Sequence, residues 1–242
     1  TTLTDMHECR ILGRFMPEFE RVRSMVRIDH YHHYTVDEHT LKALEMAERL
    51  RNEPMGRRTA AGRLAGKIER WDLLNLALLL HDVGKGYGRG HALRGGHLAQ
   101  RVLERMKMPA ADIDLVRFLV LSHLKLNHAA QRRDVSDPEV ARQLAEEIGS
   151  LERLNMLYIL PIADLMAVSA EAWNEWKGQL LEECYLRTAE LLGGQRSPAR
   201  ARQLDRHAVA GKVLETMPAE TGVARLTPKQ RQELRVELEA FL

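Results

Sequence analysis

The chain has 242 residues, enough for one domain with a substantial core and further helices at its ends. Lys and Arg total 36 against 34 Asp and Glu, so a net charge of +2 requires neither nucleic acid nor a membrane surface as a partner. The 2 cysteines are isolated, which excludes a zinc finger or disulfide framework and favours a reducing cytoplasm.

The composition predicts an all-α domain, because aromatic residues make up only 5% while Ala, Leu, Arg and Glu are abundant. We find no apolar signal segment at the N-terminus, and no run approaches the roughly 20 apolar residues of a membrane span. Residues 3–28 are predicted to be helical with a break near Gly13 and Pro17. They lead to His30, His32 and His33, a cluster that is typical of either a metal site or a solvated loop.

Residues 35–38, TVDE, fit a capping box and predict the start of a helix. Along that helix, His39 shares a face with Ala43, Ala47 and Leu50. It is therefore either a satisfied core histidine or an inward metal ligand. Residues 51–69 are basic and interrupted by Pro and Gly, which predicts a loop or a short, poorly packed helix.

The stretch from Leu73 to Gly86, LLNLALLLHDVGKG, is an apolar helix for the centre of the domain that ends in polar residues. An imidazole and a carboxylate are costly to bury unless they are paired or bound to a metal. Adjacent residues reach one cation only where a helix ends, so we interpret His81 and Asp82 as metal ligands. The alternative is an ordinary helix end with a glycine stop.

A glycine-dense loop follows, in which Lys85 is either a phosphoryl-binding cation or a surface lysine. His91 opens a helix that reaches about Met106 and offers a second nitrogen near the metal. His97 lies on another face of this helix and is expected to be structural or exposed.

The next helix, about Ala111 to Asn127, places His123 on an apolar stripe. Asp137 and Pro138 then cap a helix that runs to about Ile148. The preceding Arg132 and Arg133 either bind an anionic substrate or pair with neighbouring acids.

A helix from Leu151 to Ala170, kinked at Pro161, carries Asp164 among apolar residues, so this acid needs a partner. Four residues follow at helical spacing and are predicted to pack in the core: Trp173, Trp176, Leu180 and Cys184. Gly193 and Gly194 are predicted to end their helix.

Six histidine and aspartate side chains from separate parts of the chain are predicted to point into the core. Nitrogen and oxygen ligands without sulfur suit Mn, Fe, Zn or Mg. The candidate ligands are His39, His81, Asp82, His91, His123 and Asp164.

The order H…HD…D, given by His39, His81 with Asp82, and Asp164, resembles the HD superfamily of metal-dependent phosphohydrolases. Residues 12–192 resemble, more narrowly, the HD domain of bifunctional uridylyltransferase and uridylyl-removing enzymes, which modify the PII nitrogen-signalling protein. Five segments carry this resemblance in the family's order: YHHYTVDEHT, LLHDVGKG, HALRGG, AQRRDVSDPEV and AEAWNEWKGQLL.

The resemblance implies an HD-domain helical bundle in residues 1–195, followed by a linker and helical extension in 196–242. It implies a cytoplasmic phosphodiester hydrolase that uses one or two divalent ions (Mn, Mg, Fe or Zn) to remove UMP from a tyrosine of PII. His39, His81 and Asp164 would hold the first ion, and His91 and His123 the second. Asp82 would touch both ions, while Lys85 and Arg133 would offset charge on the phosphoryl oxygens.

Two positions depart from the family pattern: Ser122 stands where a second histidine is frequent, and Gly90 where an Asp is common. Both departures bear on the second ion. Neither the nucleotidyltransferase nor the glutamine-sensing domains that flank this region in the family are recognisable, so attachment of UMP is not expected. The alternatives are an HD-type nucleotidase or cyclic-nucleotide phosphodiesterase, and a non-catalytic helical regulatory module.

Overall fold

A computed structural model describes residues 2–26, 34–53, 59–88, 90–168 and 173–193. Within these ranges the regular structure is helical and no strand occurs, which confirms the all-α prediction. A 3₁₀ turn, Val83–Tyr87, joins α6 to α7. The helices are α1 Thr2–Glu8, α2 Ile11–Phe15, α3 Pro17–Glu20, α4 Val36–Asn52, α5 Ala60–Ala65, α6 Trp71–Leu80, α7 His91–Arg105, α8 Ala110–Ser122, α9 Lys125–Arg132, α10 Pro138–Ile148, α11 Leu151–Val168 and α12 Glu175–Gly193.

Helix α6 is the apolar centre of this bundle. Its Leu73, Leu74, Ala77, Leu78 and Leu80 have no exposed surface. Burying each leucine in this way contributes roughly 1.5–3 kcal/mol to the free energy of folding. Helices α4, α8 and α11 pack around α6, and α7 packs on α8. His81 and Asp82, which follow the end of α6, therefore lie among helices α4, α7, α8 and α11.

Helix starts follow the predicted capping chemistry. Thr35 and Glu38 form the capping box of α4. Asp137 accepts a hydrogen bond from the Glu139 amide at 2.9 Å at the start of α10, where Pro138 is the first helical residue. Both predictions are confirmed.

Three helix predictions are wrong in detail. The break near Gly13 is wrong, because Gly13 lies inside α2 and the chain breaks at residues 9–10, whereas the break near Pro17 is confirmed at Met16. The helices of this segment end at Glu20, and turns follow at residues 21–24. The predicted helix from Ala111 to Asn127 ends at Ser122, and α9 begins after a two-residue turn. Trp176 is 62% exposed and not in the core, whereas Cys184 is buried as expected.

The basic segment of residues 51–69 contains a short helix, α5, that buries Ala61 and Ala65. The described residues up to Leu192 form one compact unit. The boundary at residue 195, the extension 196–242, Gly194 and the end of the predicted helix at residues 169–170 lie outside the described ranges. No helix within these ranges has the length and apolar character needed to cross a bilayer.

Candidate metal centre

The six candidate ligands come from five elements and meet in two groups. The first group is His39, His81 and Asp164, and the second is Asp82, His91 and His123; within each group the ligand atoms lie within 4.8 Å of one another. These are the sets that the sequence assigned to a first and a second ion. Their position is thus a finding, while ligation itself stays a prediction.

The first group closes the deep end of the centre. His39, 1% exposed, lies on the inner face of α4, and its Nε2 is 2.7 Å from Asp164 Oδ1 on α11. His81 Nε2 lies 3.5 Å from the same carboxylate oxygen. A neutral imidazole with its proton on Nδ1 offers the Nε2 lone pair, so His39 Nε2 and the Asp164 carboxylate are both suitable donor atoms for one ion.

Asp82 lies between the two groups. Its Oδ2 is 3.3 Å from His81 Nε2, and its Oδ1 is 4.0 Å from His91 Nε2. The carboxylate is 2% exposed and has its two oxygens directed at different groups. It is thus placed to bridge two ions.

His81 and His123 occupy equivalent positions, each directly after the last residue of a helix. His81 Nδ1 donates to the Leu78 carbonyl and His123 Nδ1 donates to the Val120 carbonyl, both at 2.7 Å. Each ring therefore donates to a carbonyl oxygen that would otherwise accept a hydrogen bond from a backbone amide of the next helical turn. This replacement explains why α8 ends at this point. Because a carbonyl oxygen only accepts, these bonds place the proton on Nδ1 and direct Nε2 into the centre.

A close backbone approach brings the start of α7 to the end of α6. A Cβ added to Gly84 would lie 2.0 Å from the His91 carbonyl oxygen and 2.7 Å from the Gly95 amide nitrogen. Only glycine fits there. The sequence does not predict this contact, because glycines in a loop do not reveal what they pack against.

The electrostatics of the centre favour a cation. Burial lowers the pKa of His81, but the carboxylates of Asp82 and Asp164 outweigh burial and raise it to about 10. Burial raises the pKa of Asp82, but the charges of His81 and Lys85 hold it well below its usual value. Burial and the charge of His81 lower the pKa of His123 to about 4, so this ring is neutral near pH 7 with its Nε2 lone pair available.

The residues present fit a divalent ion. His81 Nε2 is fully buried, and although carboxylate oxygens of Asp82 and Asp164 lie 3.3 and 3.5 Å away, within the described ranges no contact to it has the geometry of a hydrogen bond. Buried polar atoms are seldom left without a partner. The donor set of imidazole nitrogens and carboxylate oxygens suits Mn, Fe, Zn or, with water, Mg.

The remaining predicted residues fall in different places. Lys85 Nζ lies 2.5 Å from Asp82 Oδ2, directly at the centre. The exposed Arg133 donates to Gln143 on α10 at 2.8 Å, not to a candidate ligand, so its catalytic role stays a prediction. His97 is exposed, as expected. The cluster of His30, His32 and His33 lies outside the described residues.

Comparison with known proteins supports the resemblance seen in the motifs. Residues 36–169 match the HD domain family. The chain is 40% identical over 216 residues to the bifunctional uridylyltransferase/uridylyl-removing enzyme of Phenylobacterium zucineum (strain HLK1), a match that covers 85% of this chain and 22% of that protein. The enzyme of the same name from Caulobacter vibrioides (strain NA1000 / CB15N) is 39% identical over 237 residues, covering 91% and 24%. That from Gluconobacter oxydans (strain 621H) is 38% identical over 219 residues, covering 87% and 23%. The chain thus spans less than a quarter of the length of these relatives.

Proposed function

The chain belongs to the HD domain family, and on this premise we propose that it is a metal-dependent phosphodiester hydrolase that removes UMP from a uridylylated tyrosine of a PII-type signalling protein. The observation that carries the proposal is the pair of ligand groups with Asp82 between them. The names of the relatives, which include uridylyl removal, indicate UMP as the group that is removed.

The buried side chains prepare the centre for a phosphodiester. When bound, one or two divalent ions would stabilise negative charge on the phosphoryl oxygens and lower the pKa of a water towards neutrality. His39, His81 and Asp164 would hold one ion and His91 and His123 the other, with Asp82 shared. The Nδ1 hydrogen bonds of His81 and His123 orient both rings even when no ion or substrate is bound.

Among the described residues, Lys85 places a cation directly at the centre. Its Nζ lies 2.5 Å from Asp82 Oδ2 and its side chain is 15% exposed, so it is partly accessible to solvent. There it would offset charge on a non-bridging phosphoryl oxygen.

The bond that breaks joins phosphorus to the tyrosyl oxygen. Water attacks phosphorus, its oxygen remains on UMP, and the tyrosyl oxygen departs with the electron pair. A phenolate, with a model-compound pKa near 10, leaves without a strong general acid. Hydrolysis is thus feasible with the residues that the centre supplies.

The experiment is to incubate the chain with uridylylated PII and Mn²⁺ and to measure released UMP. We expect wild type and the control His97→Ala to release UMP, and Asp82→Ala to release none. If wild type hydrolyses free nucleotides or cyclic dinucleotides but leaves uridylylated PII intact, the proposed substrate is wrong. If it hydrolyses none of them, the chain is a non-catalytic module.

A further inference from the structure

Two arginines that the proposed reaction does not use lie against the 3₁₀ turn that leads away from the centre. The Arg21 guanidinium carbon is 4.7 Å from the centroid of the Tyr87 ring. Arg94 donates to the Tyr87 carbonyl oxygen at 2.6 Å. Tyr87 follows Lys85 by two residues, and Arg94 lies in the same first turn of α7 as His91. Both arginines therefore contact the last residue of the 3₁₀ turn, Val83–Tyr87, which begins directly after Asp82.

In the part of the chain that the structure describes, no ion pair compensates the positive charges of these two arginines. Both residues are exposed, and within the described ranges no carboxylate pairs with either guanidinium. Lys85 differs, because its Nζ is paired with Asp82 Oδ2 at 2.5 Å. The two contacts with Tyr87 use one face of Arg21 and one donor of Arg94. Most of their hydrogen-bond donors remain available for an incoming anion.

We propose that Arg21 and Arg94 bind acidic side chains that flank the modified tyrosine of a protein substrate. This inference rests on the proposed function. The phosphodiester carries one negative charge, which the metal centre receives, and uridine is neutral. Two further guanidinium groups match carboxylates, with which arginine forms forked hydrogen bonds. Those carboxylates are supplied by a protein and not by the nucleotide.

An exposed apolar residue lies next to Arg94 in the chain. Leu93 is 61% exposed and precedes Arg94 on the first turn of α7. An exposed apolar side chain next to Arg94 along α7 suits an acidic protein segment better than a free nucleotide, because such a segment supplies both kinds of contact.

The test compares two substrates with the same diester: uridylylated PII, and the p-nitrophenyl ester of UMP, which lacks the protein. We expect Arg21→Gln and Arg94→Gln each to raise KM for uridylylated PII about three- to fivefold, the range of an exposed ion pair. The double variant should raise it about tenfold, with kcat and hydrolysis of the ester unchanged. Arg94→Lys should recover part of the loss.

Arg142→Gln is the matched control, since it removes the same charge from α10, where Arg142 is paired with Glu139 and Glu146. It should leave KM unchanged. A double variant with the KM of wild type would overturn the inference. An equal slowing on both substrates would also overturn it, because it would show that the arginines only support the fold.

A binding measurement separates this inference from the proposed function. The probe is a fluorescein-labelled peptide with one tyrosine between glutamates, followed by fluorescence anisotropy without turnover. About tenfold weaker binding to the double variant than to wild type supports the acidic-segment site even if no UMP is released. Equal or absent binding contradicts the site, whatever the hydrolysis assay shows.

Discussion

His91 and His97 stand on the same helix, but only the first belongs to the centre. His91 Nε2 approaches Asp82, and its side chain is 27% exposed, whereas His97 faces solvent. Since both histidines lie on α7, replacing each by alanine compares the loss of a ligand with the loss of a surface imidazole in one structural context.

His91→Ala should lower the metal content by one ion per chain and reduce hydrolysis at least about tenfold, since the loss of a residue that only orients a metal ligand already costs about 10–100-fold. His97→Ala should change neither. Elemental analysis of both variants, with hydrolysis rates, checks this. Equal metal content in His91→Ala and wild type would remove His91 from the ligand set.

Gly84→Ala tests the backbone contact that sets the second group. The new methyl group would meet the His91 carbonyl, so we expect α7 to shift and the free energy of unfolding to fall by about 1–3 kcal/mol. The matched control is Gly66→Ala, whose Cβ would meet nothing closer than 3.7 Å.

Urea unfolding gives the stability of both glycine variants, and metal titration shows whether the second group is lost. If Gly84→Ala and Gly66→Ala are equally stable and bind equal metal, the close approach does not position His91.

For single residues, the sequence shows which side chains are present but not what surrounds them. His39 and Asp164 could be identified because a polar residue on an apolar face needs a partner, and the structure pairs these two. Arg21 and Arg94 could not, since 36 Lys and Arg residues are spread along the chain and no local pattern marks these two. Their significance comes from Tyr87, which only the folded chain brings to both.

Among the elements, α3 and α7 are joined by a two-bond ion pair. Arg105 Nη1 and Nη2 donate to Glu18 Oε1 and Oε2 at 2.9 and 2.8 Å. Hydrogen bonding from Arg105 outweighs burial and lowers the pKa of Glu18 below its ordinary value of 4.5. The pair anchors the N-terminal helices to the helix that carries His91.

Glu18→Gln should destabilise the chain by about 0.5–1 kcal/mol at pH 7, because Arg105 is 46% exposed and water screens the pair. A lowered pKa stabilises the folded state above 4.5, and this contribution disappears as the pH falls through the folded value. Urea unfolding of wild type and variant from pH 7 to pH 3.5 should show the difference shrinking below pH 4.5. A difference that stays constant would contradict the ion-pair account.

Capping residues predicted two helix starts because their chemistry is local: Thr35 and Asp137 act within one turn. The end of α8 was not predicted, because the apolar pattern continues past Ser122 and predicts an unbroken helix. In the folded chain the His123 ring, instead of a backbone amide, donates to the Val120 carbonyl. Trp176 was misplaced for a related reason, since helical spacing indicates a face but not what covers it.

For the whole molecule, the centre is a meeting point of five elements that are distant in sequence. His39 and Asp164 are 125 residues apart and in hydrogen-bond contact. An ion held by such residues binds the folded chain and not the unfolded one, so it should stabilise the fold.

Removing metal with EDTA should therefore lower Tm. At an ion concentration 100 times Kd the stabilisation is about 2.7 kcal/mol, which corresponds to about 5–10 °C for a chain of this size. Readdition of Mn²⁺ should restore Tm in wild type but not in Asp82→Ala. A Tm that ignores both EDTA and Mn²⁺ would show that no ion occupies the centre.

An anomalous difference map from crystals soaked in Mn²⁺ and measured at the manganese edge shows whether the two groups hold ions. We expect two peaks about 3.5–4 Å apart, one among His39, His81 and Asp164, the other beside His91 and His123, with Asp82 between them. A map without a peak at either group would contradict this expectation.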